Sequence, residues 1–261
     1  MRRLGHSTAS HCSTFSHQIA TPMFSSTADL YDEVYSFKDY AAEAAKIRSL
    51  IATERPGACS ILDVGCGTGS HAKELSDAFE VDGIDIDPTF VNIAQAKVPK
   101  GNFSVANMTS FNLDRKYDVV QCLFSSIGYL LTAADIVAAF RCFAGQLTPG
   151  GVILVEPWLS PEAFQPGLPR MLVVDKPELK ICRMNVSERD GDVSVLRFHY
   201  LIATPQGVRA AEECHRLALV TPERMAEHFA EAGLTSSFDP VGVFGRGLFV
   251  ARMASDNLAA D

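Results

Sequence analysis

The stretch DVGCGTG at residues 63–69 decides the fold of this chain of 261 residues. It lies between a short hydrophobic run and a segment of helical character at residues 70–79. Gly65, Gly67 and Gly69 stand at alternate positions within it. A turn without side chains between a strand and a helix lets a ligand approach the backbone closely. The stretch therefore predicts a ligand-binding loop.

The spacing of the glycines indicates which kind of ligand binds. The dinucleotide fingerprint GxGxxG places its third glycine one position later than the GxGxG found here. Asp63 precedes the first glycine by two positions, and dinucleotide fingerprints as a rule lack this acid. Asp85 ends the next predicted strand, where a carboxylate can accept hydrogen bonds from both hydroxyls of a ribose. The pattern favours a nucleoside; the alternative is a glycine-rich turn beside a solvated strand end.

Strands and helices alternate along the chain from residue 60 to residue 156. The pattern predicts strands at 60–64, 80–84, 103–106, 117–124 and 152–155, helices at 70–79, 87–97, 133–146 and 221–232, a broken helix at 28–54, and a closing strand pair at 238–243 and 248–253. This alternation predicts an α/β fold with a doubly wound, mostly parallel sheet of seven strands.

The pattern changes after Trp158, where a proline-rich stretch is followed by strand-like segments joined by turns at 190–191 and 206–207. These segments predict an inserted antiparallel lid. The expected organisation is a disordered N-terminal extension at 1–22 (or residues upstream of a true start at Met23), a core at 23–157, the lid at 158–220, the C-terminal part of the core at 221–253, and a tail at 254–261.

Composition excludes several classes of function. The net charge of −8 disfavours binding to a nucleic acid backbone, and no apolar run is long enough to span a membrane. The seven cysteines form no CxxC pair, which predicts reduced thiols in the cytoplasm and no metal site.

The glycine motif together with Asp85 resembles the class I S-adenosylmethionine-dependent methyltransferases, which implies S-adenosyl-L-methionine as the cofactor. Most of residues 28–253 is similar to a narrower group, the N,N-dimethyltransferases of nucleotide-linked amino sugars of the desosamine and mycaminose type. The segments that carry this resemblance are ADLYDEVY, KDYAAEA, DVGCGTG, CLFSSIGYL, LTPGG, EPWLSPEAF, RFHY and GRGLFVA. LTPGG is common to many methyltransferases, whereas FSSIGY, EPWLSPEAF and GRGLFV are much narrower. The resemblance implies N-methylation of an amino sugar by a homodimer.

The glycine turn, its two acids and the resemblance together define an expected cofactor site. Its members are Tyr35, Tyr40, Asp63, Gly65, Gly67, Gly69, Asp85, Ile86, Asn107, Met108 and Phe124. Asn107 stands where the family usually has aspartate, but an amide oxygen can still accept a hydrogen bond from the adenine amine.

The resemblance also implies the residues at the acceptor. Tyr35 and Tyr129 are the expected catalytic residues, and Ser126, Trp158 and Arg246 the expected substrate contacts. Tyr129 stands where the sugar enzymes often have histidine, and a tyrosine with a pKa near 10 is a poor base. Either Tyr129 only orients the nucleophile, or the substrate differs from an amino sugar.

Other residues have two interpretations. Arg170, Lys180 and Arg183 are further candidates to bind a diphosphate, although surface charge is the ordinary interpretation. His199 and His215 are predicted to be structural, with the substrate within reach of either.

Three alternatives remain at this stage. One is another small-molecule N-, O- or C-methyltransferase of natural-product metabolism, since a fold does not fix a substrate. Another is an NAD-dependent oxidoreductase, but the GxGxG spacing and Asp63 disfavour it. The third is a non-enzymatic methyltransferase-like binding module, which the intact glycine turn disfavours.

Overall fold

The computed structural model describes residues 27–254. The predicted extension at 1–22 lies outside the described residues, as does the predicted tail apart from its first residue. The helices and strands are α1 (Tyr31–Val34), α2 (Tyr40–Glu54), β1 (Ser60–Val64), α3 (Ser70–Leu75), β2 (Glu80–Asp85), α4 (Pro88–Lys97), β3 (Phe103–Val105), β4 (Tyr117–Cys122), α5 (Ala133–Gly145), β5 (Leu147–Val155), β6 (Pro169–Lys176), β7 (Leu179–Val186), β8 (Glu188–Asp190), β9 (Val193–Thr204), β10 (Gly207–Ala218), α6 (Pro222–Glu231), β11 (Leu234–Asp239) and β12 (Leu248–Met253). Short 3₁₀ helices at Ala28–Leu30 and Ser126–Tyr129 complete the set.

The main sheet has seven strands in the order β11-β12-β5-β4-β1-β2-β3. Only β12 runs against its neighbours, so the predicted mostly parallel, doubly wound sheet is confirmed. The chain builds outward from β1 through β2 to β3, and then returns to the other side of β1 with β4. In such sheets, ligands bind at the carboxyl ends of the strands where the winding direction changes. The glycine turn follows β1 and therefore lies at this point.

Helices cover both faces of the main sheet. The largest side chains that α5 and α6 bury are Phe140, Phe143 and Phe229, and the rings of Phe140 and Phe229 stack with centroids 3.8 Å apart. On the opposite face, Ile47 and Ile51 of α2 are buried against the sheet. Burial of each large apolar side chain stabilises the fold by about 1.5–3 kcal/mol. No helix within residues 27–254 is long and apolar enough to cross a membrane.

A second, antiparallel sheet confirms the sheet predicted after Trp158. Its strands lie in the order β10-β9-β7-β6, and β8 pairs with β9. Side chains alternate between its two faces. The inner face packs against α1 through Val174, Ile181 and Tyr200, whereas the outer face carries exposed side chains.

One predicted strand, at 238–243, is wrong. The strand that pairs with β12 is β11, which ends at Asp239, and residues 240–247 form a loop. Pro240 has no backbone N–H to donate to a sheet, and Gly242, Gly245 and Gly247 adopt φ values of 58°, 79° and 85°. The sequence predicts a strand over this segment, but its backbone conformation is that of a turn.

Other boundaries also differ: the helix predicted at 70–79 ends at Leu75, and the strand predicted at 117–124 ends at Cys122. Two strands begin earlier than predicted. β6 begins at Pro169, inside a stretch whose prolines gave no periodic pattern, because an edge strand tolerates proline at its first residue. β5 begins at Leu147 rather than at residue 152, and its register against β4 shifts between Tyr117 and Val119. A bulge of this kind interrupts the period-two alternation of side chains, so the start of the strand cannot be recognised from that pattern.

Candidate active site

A large cavity of about 1290 Å³ lies between the carboxyl ends of the parallel strands and the inner face of the antiparallel sheet. The predicted site residues that line it are Tyr35, Gly65, Gly67, Asp85, Ile86, Asn107, Met108, Phe124, Ser126, Tyr129, Trp158 and Arg246. Tyr40 and Asp63 line a smaller cleft that shares Gly65 and Gly67 with the large cavity. Gly69 borders neither.

The three glycines of the loop are needed for different structural reasons. All three adopt the left-handed conformation, with φ values of 70°, 54° and 74° in chain order. A Cβ atom at Gly65 would lie 2.8 Å from Cβ of Ser126, and one at Gly69 would lie 2.8 Å from Cβ of Ala94 on α4. A Cβ atom at Gly67 would have no protein atom within 4 Å. Gly69 thus serves the contact with α4 rather than the expected ligand, and Gly67 leaves open space for one.

Asp85 connects the glycine loop to the end of β2. Its Oδ2 accepts a hydrogen bond of 2.8 Å from the amide of Gly67, and its Oδ1 accepts one of 3.0 Å from the amide of Asp87. Burial raises the pKa of this carboxyl group, while both amides lower it. Each oxygen of a carboxylate has a further acceptor position. The carboxylate can therefore hold the loop and accept the two hydroxyls of a ribose.

Asn107 has a role that the sequence analysis did not foresee. Its Oδ1 accepts hydrogen bonds from the amide of Thr109 at 3.0 Å and from the hydroxyl of Thr109 at 2.9 Å. An asparagine used in this way fixes the turn that follows a strand. The adjacent Met108 lines the cavity beside this turn.

Asp63 is buried at the end of β1, with 3% of its surface exposed. Burial raises the pKa of its carboxyl group to about 7. The nearby Tyr40 contacts His71 edge to face, with ring centroids 4.9 Å apart. His71 in turn lies 2.8 Å from Glu43. The small cleft thus combines an acid with an aromatic wall.

The segment after β4 has strained backbone. Phe124 and Ser125 adopt φ values of 50° and 62°, a region that residues other than glycine rarely occupy. Such strain clusters at functional sites and persists where surrounding contacts enforce it. Here the amide of Phe124 donates to Oε2 of Glu156 at 2.6 Å, and Oγ of Ser125 donates to the carbonyl of Pro157 at 2.8 Å.

Glu156, the first residue of the EPWLSPEAF segment, is a further functional candidate. Its side chain is fully buried, and burial raises its pKa to about 7 although the cation of Arg246 lowers it. Arg246 lies 3.7 Å from Oε1 of Glu156 and donates to Oγ of Ser125 at 2.8 Å. Arg246 is therefore held by the protein itself, while Arg170 and Arg183 line the cavity from the antiparallel sheet. Lys180 pairs instead with Asp175.

Aromatic side chains form the wall around Phe124. The ring of Tyr35 lies edge-on to that of Phe124, with centroids 5.3 Å apart. Nη1 of Arg183 donates to the hydroxyl of Tyr35 at 3.4 Å. Nε1 of Trp158 donates to Oγ of Ser194 at 2.8 Å, which fixes the indole at the cavity edge.

His215, expected to be structural, lies in the cavity wall beside Tyr129. Its Nδ1 is 3.0 Å from the hydroxyl of Tyr129, and its Nε2 is 3.4 Å from Oε2 of Glu213. Burial raises the pKa of Tyr129 far above its ordinary value. The alternation along β10 places Glu213, His215 and Leu217 on one face, and this was the signal available in the sequence.

Comparison with known proteins agrees with this geometry. Residues 61–151 match the family of methyltransferase domains. The chain is 40% identical over 226 residues to dTDP-3-amino-3,6-dideoxy-alpha-D-glucopyranose N,N-dimethyltransferase of Streptomyces fradiae, covering 85% of this chain and 89% of that protein. It resembles the crystal structure of DesVI of Streptomyces venezuelae with a TM-score of 0.83 and 37% identity, covering 87% of this chain and 98% of that one.

A third similar protein was solved with its cofactor. The S-adenosylmethionine-bound amino pentose methyltransferase CalS10 of Micromonospora echinaspora has a TM-score of 0.79 and 31% identity, covering 94% of this chain and 100% of that one. These similarities identify an enzyme that uses S-adenosylmethionine. The chain belongs to the class I S-adenosylmethionine-dependent methyltransferases, within the group of N,N-dimethyltransferases of nucleotide-linked amino sugars.

Proposed function

We propose that this enzyme methylates the amino group of a nucleotide-linked amino sugar. The observation that carries the proposal is the continuity of the cavity, which extends from the glycine loop to the inner face of the antiparallel sheet. Its volume of about 1290 Å³ exceeds the roughly 300–1,000 Å³ of a site for one drug-sized ligand. The similar dTDP-amino-sugar enzyme supports the same class of acceptor.

The residues at the glycine loop fit the cofactor. Gly67 leaves the space above the loop open, and the carboxylate of Asp85 faces it. When bound, S-adenosylmethionine supplies a methyl group made electrophilic by the positive sulfur. We assign Asp85 to the ribose, Met108 to the adenine, and Tyr40 to the methionine end. Asn107 is assigned to the adenine through its side-chain NH2, because its Oδ1 already accepts two hydrogen bonds from Thr109.

The aromatic wall suits an amine acceptor. Tyr35, Phe124, Tyr129 and Trp158 line the cavity. An apolar environment disfavours an ammonium group and so favours the reactive free amine. Alignment of the two reactants and exclusion of water then supply most of the rate acceleration, since good alignment lowers the activation barrier by about 7–11 kcal/mol.

We assign the nucleotide part of the acceptor to the antiparallel sheet. Arg170 and Arg183 project from its inner face into the cavity. Two guanidinium groups suit a diphosphate, because each can donate two parallel hydrogen bonds. Arg246 lies 3.7 Å from Glu156 and donates to Ser125, so it positions the strained segment at the cavity edge.

Transfer assays with defined acceptors test this function. Mass spectrometry of reactions with S-adenosylmethionine and dTDP-linked amino-deoxyhexoses should show products one and then two methyl groups heavier. The same sugars without the nucleotide are the control and should react poorly. Transfer to hydroxyl or carbon acceptors, with none to the amino sugars, would instead support another natural-product methyltransferase.

We further propose that the enzyme is a homodimer that contacts its partner through the outer face of the antiparallel sheet. Met171 pairs with Met184 on this face, and both are exposed, as are Val173, Val186 and Leu201. A contiguous exposed apolar patch of this kind marks an interaction surface. A second copy of the chain presents the same patch, as a two-fold interface requires.

The variant Met184→Lys tests the dimer. It places a charge in the middle of the patch, so the particle mass in solution should fall from twice the 28.3 kDa of the chain towards one chain mass. Multi-angle light scattering measures this. Val241→Lys is the control, because Val241 is also apolar and exposed but lies in the loop after β11. A wild-type particle of one chain mass would contradict the proposal.

We place the enzyme in the cytoplasm. The six cysteines within the described part of the chain are free thiols, as suits a reducing compartment.

A further inference from the structure

We propose that Tyr129, His215 and Glu213 form a proton relay that removes the proton displaced at the acceptor nitrogen during methylation. The inference rests on the proposed function, because it concerns an amine in the same cavity. Tyr129 is the member that touches the substrate, and His215 acts through it.

The three side chains form a continuous path from the cavity into the protein. The hydroxyl of Tyr129 lies 3.0 Å from Nδ1 of His215. Nε2 of His215 lies 3.4 Å from Oε2 of Glu213. His215 is 2% exposed and the Glu213 side chain is also 2% exposed, so bulk water does not compete for these contacts.

The direction of the hydrogen bonds follows from the chemistry of the carboxylate. Glu213 accepts from the hydroxyl of Tyr200 at 3.1 Å and from the hydroxyl of Thr27. An ionised carboxylate only accepts, so Nε2 of His215 carries a proton directed at Glu213. Nδ1 of neutral His215 is then an acceptor, and the hydroxyl of Tyr129 donates to it. The oxygen of Tyr129 remains able to accept a proton from a ligand in the cavity.

The groups around the relay are suited to a transient positive charge on the imidazole. Those facing His215 are Tyr129 from the 3₁₀ helix, Glu213 from β10, and Tyr200 and Phe198 from β9, with Arg183 of β7 behind Phe198. The electrostatic influence of Tyr35 and Asp85, which also line the cavity, raises the pKa of Tyr129 further. The carboxylate of Glu213 lies beside Nε2 of His215 and compensates the charge of an imidazolium.

The proposed step balances as follows. The amine nitrogen forms its bond to the methyl carbon, the carbon–sulfur bond breaks with its electron pair left on sulfur, and the nitrogen becomes an ammonium. One N–H proton passes to the oxygen of Tyr129 while the proton of Tyr129 passes to Nδ1 of His215. Tyr129 stays neutral throughout, and His215 becomes an imidazolium beside Glu213. After the product leaves, the proton returns through Tyr129 to water in the cavity. The neutral methylamine left behind can accept a second methyl group.

The relay therefore matters most for the second methylation, and the variant His215→Asn tests it. With saturating cofactor near pH 7, we expect the turnover number to fall at least tenfold, a modest effect for loss of a proton acceptor. The monomethyl product should accumulate in place of the dimethyl product. The difference from wild type should narrow as the pH rises, because hydroxide then removes the proton without the relay. Single-turnover mass spectrometry at several pH values measures both.

Three further variants make the test decisive. His199→Asn replaces a second histidine that faces a glutamate on the same hairpin, but on the exposed outer face, and should behave as wild type. Since that face is the proposed dimer contact, the particle mass of each variant is measured as well. Tyr129→Phe removes only the hydroxyl and so interrupts the same path. It should also release the monomethyl product, and it takes the place of His215→Asn in the test if that variant does not fold. The double variant should be no slower than the slower single variant.

Unchanged turnover, product ratio and pH dependence in folded His215→Asn or Tyr129→Phe would overturn the relay. This failure is distinct from failure of the proposed function, which would appear as absence of methyl transfer to amino sugars by the wild-type enzyme.

Discussion

Replacement of Asp85 by alanine is expected to weaken S-adenosylmethionine binding about a hundredfold. Two hydroxyls of the ribose would lose a charged acceptor, and each hydrogen bond to a charged group contributes about 1.5 kcal/mol or more, so the total loss is about 3 kcal/mol. The same carboxylate holds the amides of Gly67 and Asp87 at 2.8 and 3.0 Å. The variant therefore also releases the loop over which we propose that the cofactor lies. Isothermal titration calorimetry measures the dissociation constant.

A matched variant separates the two effects of Asp85. Asp85→Asn retains one oxygen that can accept from an amide, but it removes the charge and one acceptor. It should bind with an affinity between those of the wild type and the alanine variant. Equal affinity of all three proteins would remove Asp85 from the cofactor site. Thermal unfolding without cofactor reports how much the loop contacts alone contribute.

The variant Asp63→Asn is expected to change how stability depends on pH. Burial raises the pKa of Asp63 to about 7 in the folded protein, whereas an aspartate in an unfolded chain titrates near 4. Between these values the folded protein holds a proton that the unfolded chain has lost. The stability of the wild type should therefore fall as the pH rises through this window. Relative to Asp63→Asn, the loss should approach about 4 kcal/mol between pH 4 and pH 8.

Urea unfolding of the cofactor-free protein at several pH values measures this difference. Asp77→Asn, which removes an exposed aspartate from the same region, is the control for loss of one carboxyl group. Above about pH 7, the folded wild type bears the full cost of a buried charge. A difference between wild type and Asp63→Asn that stays constant from pH 4 to pH 8 would show that Asp63 titrates alike in the folded and unfolded states.

The parallel part of the fold could be predicted because its signals are local. A strand, a glycine turn and a helix follow one another within residues 60–75, and Asp85 ends the next strand. Carboxyl ends of parallel strands meet at one edge of the sheet, so sequence order alone brings Asp85 to the glycine loop. Cofactor class and the edge of the sheet that carries the site both follow from such short-range patterns.

The contacts that complete the site depend on pairings between distant segments. Glu156 follows β5 and Arg246 precedes β12, and these strands are antiparallel neighbours, so their ends meet. Similarly, His215 reaches Tyr129 only because β10 packs against the 3₁₀ helix. Nothing in the local pattern of either segment specifies these partners. The glycines illustrate the same limit, since the packing of Gly69 against Ala94 depends on where α4 lies.

Alternation along the strands of the antiparallel sheet has a consequence for how such enzymes diverge. On β10, for example, Glu213 and His215 point inward, while Glu212 and Arg216 point to the outside. A lineage can thus replace inward residues to accept a new sugar without altering the outward ones. Under the functions proposed for the two faces, acceptor choice and subunit assembly are free to evolve separately within a single hairpin.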